Sequence, residues 1–193
     1  MKKNIARVKE FKLSKKLIGH QLPTNIDGHA GRALEKLLES YGVPISQGPV
    51  ADIEVYGLEV KTRKLTATSA QTVATMSIGD IIATPYKQSI IYHKLQQQLR
   101  IKTNELDIIV EAEVYDFDQP QIQDHIERGY EHARQLIIAK NDIGYTPYDG
   151  YWGYFEQCHK GSTSYSFRFS GPDMDALEDM AKSTFGSIFD YGN

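Results

Sequence analysis

The chain has 193 residues, 40% hydrophobic and 24% charged, with 22 Lys and Arg, 25 Asp and Glu, and a single cysteine, Cys158. That length suits one ordinary soluble domain with a substantial core, and one cysteine excludes both an internal disulfide framework and any multi-cysteine zinc site. No apolar run approaches the roughly 20 residues needed to cross a bilayer, and the N-terminus MKKNIARVKEFKLSKKLIG is charged where a signal peptide would be hydrophobic, so a cytoplasmic protein without a membrane partner is expected.

The net charge of -3 is the sum of two unlike halves, since residues 1–104 carry 16 Lys and Arg against 8 acidic residues and residues 105–193 carry 6 against 17. At the N-terminus Lys2, Lys3, Arg7, Lys9, Lys12, Lys15 and Lys16 face only Glu10. This density suits either the neutralisation of nucleic-acid phosphates or a solvated basic segment. No repeat, low-complexity tract or long Pro/Gly/Ser linker interrupts the chain. A single domain over 1–193 is expected, with 1–21 as a basic N-terminal segment and 141–193 as an aromatic loop, strand and helix.

In segment 28–41, Leu34, Leu37, Leu38 and Tyr41 fall on one stripe of an amphipathic helix, and Gly42 ends it. Residues 50–62 read as two short strands around a Tyr56-Gly57 turn, and a β-prone stretch covers Thr72 to Ala83. The spacing of Ile91, Leu95 and Leu99 predicts a helix over 86–100, and the alternation of Leu106, Ile108, Val110, Ala112 and Val114 predicts a half-buried strand. Asp118 is a candidate N-cap for a long helix from near Pro120, with Ile122, Ile126, Tyr130, Ala133, Leu136 and Ile137 on one face. The aromatic run after Asn141 reads as a loop, Tyr165, Phe167 and Phe169 as alternate positions of a strand, and Pro172 to Phe185 as a closing helix with Asp173 and Asp175 near its positive end. The fold class is therefore α/β or α+β.

Chemistry concentrates in the early strands. Glu59 and Lys61 are two apart and share a strand face, with Leu58 and Val60 on the other. A turn at Tyr56-Gly57 that brings Asp52 alongside would give two carboxylates and a backbone carbonyl, that of Val60, as hard oxygen ligands for Mg²⁺, with Lys61 beside them. Such a group cleaves phosphodiesters: the cation polarises a phosphoryl oxygen and the lysine serves the attacking water. A surface strand of alternating charge is the competing interpretation of the same residues. Glu39 reads as a solvent-facing helix residue and Glu54 as a strand neighbour of Asp52, while His29 and His93 lack a metal-ligand partner. Cys158-His159 adjacency establishes no nucleophile-base geometry. No G-x-S-x-G, P-loop or G-x-G-x-x-G is present.

The run Asp52-Ile-Glu-Val-Tyr-Gly-Leu-Glu59-Val-Lys61-Thr62 resembles the catalytic strand pair of the MutH branch of PD-(D/E)xK nucleases. Gly28-His-Ala-Gly31-Arg-Ala-Leu34-Glu35 is similar to that branch's G-x-x-G-x-x-L-E helix, and Ser89-Ile-Ile-Tyr-His93-Lys94-Leu95 to its S-x-V-x-x-K-L helix, with Ile91 in the valine position. The three elements occur in the family's order over residues 28–95. The resemblance implies a restriction-endonuclease-like central mixed sheet flanked by helices. It also implies a Mg²⁺-dependent endonuclease of double-stranded DNA, with Mn²⁺ as a substitute, of the mismatch-repair nicking or GATC restriction type. It makes Asp52 and Glu59 metal ligands, Lys61 the residue serving the nucleophilic water, Glu35 the helix carboxylate that completes the acidic site, and Lys94 a second lysine near the scissile phosphate. From the residues alone, Glu35 and Lys94 read equally as solvated helix side chains. Nothing in 145–193 matches a base-reading loop, so the recognition sequence is not implied. A homodimer for double-strand cleavage and an activating protein partner both stay open, as does a non-catalytic DNA-binding or regulatory module on a nuclease scaffold.

Overall fold

The structure, a computed structural model, describes residues 16–23, 29–46, 52–53, 57–140 and 151–185. Its elements are α1 (His29–Ser40), β1 (Glu59–Lys64), β2 (Gln71–Ser77), α2 (Ile78–Ala83), a 3-10 turn at Tyr86–Gln88, α3 (Ile90–Lys94), β3 (Gln97–Thr103), β4 (Ile109–Asp116), α4 (Pro120–Lys140), β5 (Tyr154–Gln157), β6 (Ser164–Phe169) and α5 (Gly171–Phe185). This is a mixed α and β chain. Its strands form two three-stranded sheets, β1-β3-β4 and β2-β6-β5, where a single central sheet was expected. The chain divides into two compact units, Met1–Ala67 with Gln96–Tyr115 and Thr68–Leu95 with Asp116–Asn193. Among the described residues no helix is long and apolar enough to cross a membrane.

In the first unit, β1 and β3 run parallel with Glu59 beside Gln98, Val60 beside Leu99 and Lys61 beside Arg100. The five residues joining β3 to β4 are too few for a parallel crossover, so this sheet is mixed. Leu34 and Leu38 of α1 are fully buried in one cluster with Ile53, Leu58, Leu99, Ile101 and Ala112, and Leu37, Tyr41 and Val60 pack on its edge. The expected amphipathic helix is therefore present, each such leucine contributing roughly 1.5–3 kcal/mol by leaving water, and Gly42 follows it at φ 77°. The strand predicted from Leu106 to Val114 begins only at Ile109 and does not bury the expected face: Val110 is exposed, Ile108 and Val114 are half-buried, and only Ala112 of the five is buried. Leu106 is 65% exposed at a turn in which the Asn104 side chain accepts from the backbone N–H of Leu106 and Ile108, both at 3.0 Å, and Asp107 adopts φ 59°. Buried positions in β4 are Ile109, Ala112 and Tyr115.

In the second unit, β6 is the central strand, antiparallel to both β2 and β5. Phe167 and Phe169 are fully buried and Tyr165 nearly so, as their alternation predicted. On α4 the predicted face is buried at Ile122, Ile126, Tyr130 and Ile137, while Ala133 and Leu136 are half-buried. Tyr130 meets Phe155 and Phe167 at ring separations of 5.5 and 5.8 Å, so the aromatic run after Asn141 contributes to the core. Residues 154–157 are a strand and not loop; residues 141–150 lie outside those described.

Three further expectations are corrected. The β-prone stretch 72–83 turns helical at Ile78, because Ser77 caps α2 by accepting the Asp80 N–H. The helix predicted over 86–100 stops at Lys94, and Leu99 lies on β3. Asp118 is two residues short of Pro120 and is not its N-cap; its own N–H donates to Asp116 Oδ1 at 3.0 Å.

A close approach pins the chain at 151–153 onto α4. A Cβ on Gly129 would run into the carbonyl of Trp152, and Trp152 stacks on His125 with 4.6 Å between centroids. In an open helix interior, Gly→Ala gains up to about 1 kcal/mol. Here the displaced backbone costs about 1–3 kcal/mol, so Gly129→Ala is expected to lower the urea midpoint; a raised midpoint would show that residues 151–153 yield freely.

Candidate active site

A two-residue bridge builds the site. Ile53 and Leu58 exchange both backbone hydrogen bonds, 2.9 Å from the Ile53 N–H and 3.2 Å from the Leu58 N–H, and both side chains are buried in the first unit's core. Gly57 precedes Leu58 at φ 64°, a conformation that favours glycine. The next pair outward in this antiparallel register is Asp52 and Glu59. Alternation turns that pair to the face opposite Ile53 and Leu58. The expected seven-residue spacing thus places Asp52 and Glu59 on either side of the bridge; residues 54–56, with Glu54 among them, lie outside the described part.

Each carboxylate is held by the strand it serves. Asp52 Oδ2 accepts the Val60 N–H at 2.8 Å, a charge-assisted bond that ties the side chain to β1. Glu59 is 1% exposed, and its Oε1 accepts from Lys61 Nζ at 2.7 Å, with Lys61 22% exposed. The shared face of Glu59 and Lys61, with Leu58 and Val60 turned into the core, is as the alternation predicts. A buried carboxylate of this kind persists because it is paired, and removing one partner of such a pair typically costs about 3–5 kcal/mol.

Glu35 lies on the half-buried side of α1, one position after the buried Leu34. Burial, followed by the negative charge of Asp52, raises its pKa above the ordinary glutamate range, with Arg32 opposing and Glu39 adding to the shift. Glu35 and Asp52 therefore lie within electrostatic reach of each other. Glu39 itself is exposed, as expected. Lys94 closes α3 in the second unit. Of the basic N-terminal side chains only Lys16 is described; it is exposed, with Nζ 5.7 Å from the Tyr41 ring centroid. Lys2, Lys3, Arg7, Lys9, Lys12 and Lys15 lie outside the described residues, as does the side chain of His29. His93 is exposed beside Tyr92, and exposed Cys158 contacts Ser166 Oγ at 3.5 Å, with no base geometry from His159 shown.

The donor chemistry fits a small hard cation. Carboxylate and carbonyl oxygens are the hard donors that Mg²⁺ prefers. Among the described residues no three His, Cys, Asp or Glu side chains come together as a ready-made cage. Mg²⁺ does not need one, because it commonly keeps several waters and takes one or two carboxylates plus substrate oxygens. Asp52, Glu59 and the Val60 carbonyl are the groups that would hold it.

The raised Glu35 pKa gives a stability test. The folded state holds the Glu35 proton more tightly than the unfolded chain, so its favourable contribution is complete below the ordinary glutamate pKa and is lost as pH rises through the folded one. Glu35→Gln is expected to raise Tm at neutral pH, with the gain shrinking in acid. A lower Tm at neutral pH would show that the Glu35 charge is instead stabilising.

Strand β3 supplies two polar side chains that the sequence reading missed, Gln98 at 1% and Arg100 at 3% exposure, beside Glu59 and Lys61 in register. Their signal was the alternation of Gln98 and Arg100 with Leu99 and Ile101, hidden by the helical spacing of Ile91, Leu95 and Leu99. No family model matches the chain, and no curated protein matches it.

Proposed function

We propose that this chain is a Mg²⁺-dependent endonuclease that hydrolyses phosphodiester bonds in duplex DNA, of the kind found in the MutH branch of PD-(D/E)xK nucleases. The observation that carries the reading is the hairpin pair. Asp52 and Glu59 flank the Ile53–Leu58 bridge, Asp52 is bonded to the Val60 N–H and Glu59 to Lys61, and Glu35 is within the field of Asp52. The three sequence elements of the resemblance add their order along the chain.

The carboxylates bind and orient, and the lysine positions the attacking water. A bound Mg²⁺ would polarise a phosphoryl oxygen and stabilise the departing 3′ oxygen. Asp52 is anchored through the Val60 N–H and Glu59 through Lys61, so neither carboxylate must be ordered at the moment of reaction. Lys61 Nζ, partly exposed and donating to the buried Glu59, orients the attacking water and favours its hydroxide form by its positive charge, the proton passing to solvent. Glu35 adds negative charge on the α1 side, which strengthens cation binding.

The test is cleavage of supercoiled plasmid containing both GATC and unrelated sequence, with Mg²⁺, Mn²⁺, Ca²⁺ or EDTA. Nicked or linear product is expected with Mg²⁺ and Mn²⁺, and binding without turnover with Ca²⁺, which is larger and geometrically less exacting. Product formed in EDTA, or rapidly with Ca²⁺ alone, would overturn the metal assignment. Tight DNA binding with no product under any metal would mark a binding module on a nuclease scaffold.

A further inference from the structure

Four side chains of β1 and β3 make a block on the polar face of the first unit's sheet. Glu59 neighbours Gln98 and Lys61 neighbours Arg100 in the parallel register. Glu59, Gln98 and Arg100 are each no more than 3% exposed. Burying an amide and a guanidinium on a sheet face costs more than burying apolar residues of the same size, unless their hydrogen bonds are made. Arg100 Nη1 donates to Gln98 Oε1 at 2.9 Å.

That bond fixes which way the amide points. A guanidinium has donors only, so the Gln98 atom facing Arg100 must be the carbonyl oxygen, and Nε2 with its two N–H groups takes the other branch. Glu59, on the adjacent strand about 4.8 Å away, is an acceptor-only carboxylate when ionised, and Lys61 already engages its Oε1. A donor amide of fixed orientation beside such a carboxylate is the arrangement by which outer partners hold a metal ligand in place.

We infer that Arg100 and Gln98 are positioning residues for Glu59: Arg100 fixes the Gln98 amide, and the amide holds the Glu59 carboxylate in the orientation in which it and Asp52 take a divalent cation. The inference rests on the nuclease reading above. Neither residue belongs to the motifs on which the resemblance was drawn.

The experiment compares wild type with Gln98→Leu, which removes the amide, and Gln98→Met, which removes it while keeping an unbranched side chain of similar length. Arg100→Met, which removes the anchor, is measured alongside. Ca²⁺ affinity of the full chain is measured by calorimetry, and kcat, KM for DNA and the Mg²⁺ requirement by plasmid cleavage. All three variants are expected to bind Ca²⁺ about 10–100-fold more weakly and to need correspondingly more Mg²⁺, with kcat reduced and KM for DNA unchanged. Arg100→Met decides the matter if the Gln98 variants fail to fold, because it buries no unpaired charge. A folded Arg100→Met variant with wild-type Ca²⁺ affinity and kcat overturns the relay. So does a raised KM with unchanged kcat, which would place these residues on the DNA. A wild-type chain that neither binds Ca²⁺ nor cleaves overturns the nuclease reading and the relay with it, whereas an active wild type with silent variants overturns the relay alone.

Discussion

Asp52→Asn and Glu59→Gln are each expected to lower Mg²⁺-dependent cleavage by about a thousandfold or more, with DNA binding largely retained. The magnitude follows from the several kcal/mol that a metal ion supplies to charge stabilisation in the transition state, each 1.36 kcal/mol being about tenfold in rate. Isosteric amides suit the experiment because the two carboxylates also carry structure. Asp52 accepts the Val60 N–H, and Glu59 is the buried partner of Lys61. Asp52→Ala, Glu59→Ala and Lys61→Ala should abolish cleavage as well, but Lys61→Ala also leaves a 1% exposed carboxylate without its ammonium, so its Tm must be measured beside its rate. The pattern of kinetic constants separates the roles: lost kcat with unchanged KM for DNA marks groups that act on the metal and water. Full-rate cleavage by Asp52→Asn would end the assignment of that residue, and full-rate cleavage by both amide variants would end the nuclease reading.

What the sequence discloses of this site is whatever alternation and spacing encode. Leu58 and Val60 announce a buried face, which puts Glu59 and Lys61 on the opposite one. Gly57 announces a turn just before Leu58, whose bridge to Ile53 has Asp52 and Glu59 as its immediate neighbours. The stripe of Leu34, Leu37, Leu38 and Tyr41 likewise locates α1 and, one position along, Glu35. The same logic fails on β3. There Ile91, Leu95 and Leu99 are spaced as on a helix, yet Lys94 ends α3 and Leu99 belongs to a parallel strand. Periodicity also assigns polar residues to solvent, so the alternation of Gln98 and Arg100 with Leu99 and Ile101 marks a strand without showing that its polar face is buried. Short elements are lost for a related reason: α2 has six residues and depends on the Ser77 cap, and β5 has four. Both are shorter than the windows in which a period can be recognised.

Duplex binding is expected to weaken steeply with salt and to lose much of that steepness when residues 1–16 are removed. The argument is electrostatic. Seven Lys and Arg against one Glu stand in those sixteen residues. A protein that neutralises Z phosphates releases their counterions, giving a slope of log K on log[salt] of about -0.9Z on B-DNA. With six or more such contacts, affinity falls by about 10³ or more between 50 and 200 mM salt, so the truncated chain should bind far more weakly at low salt and approach the full chain at high salt. The acidic second half, with 17 carboxylates against 6 basic residues, repels phosphate and cannot replace the lost contacts. Sequence preference should survive truncation, because phosphate contacts position a protein and base contacts specify its site. Equilibrium binding of one labelled duplex across a salt series measures both quantities. An unchanged slope would make the segment a solvated one that does not touch DNA, and a lost preference would mean that it also reads bases in the minor groove.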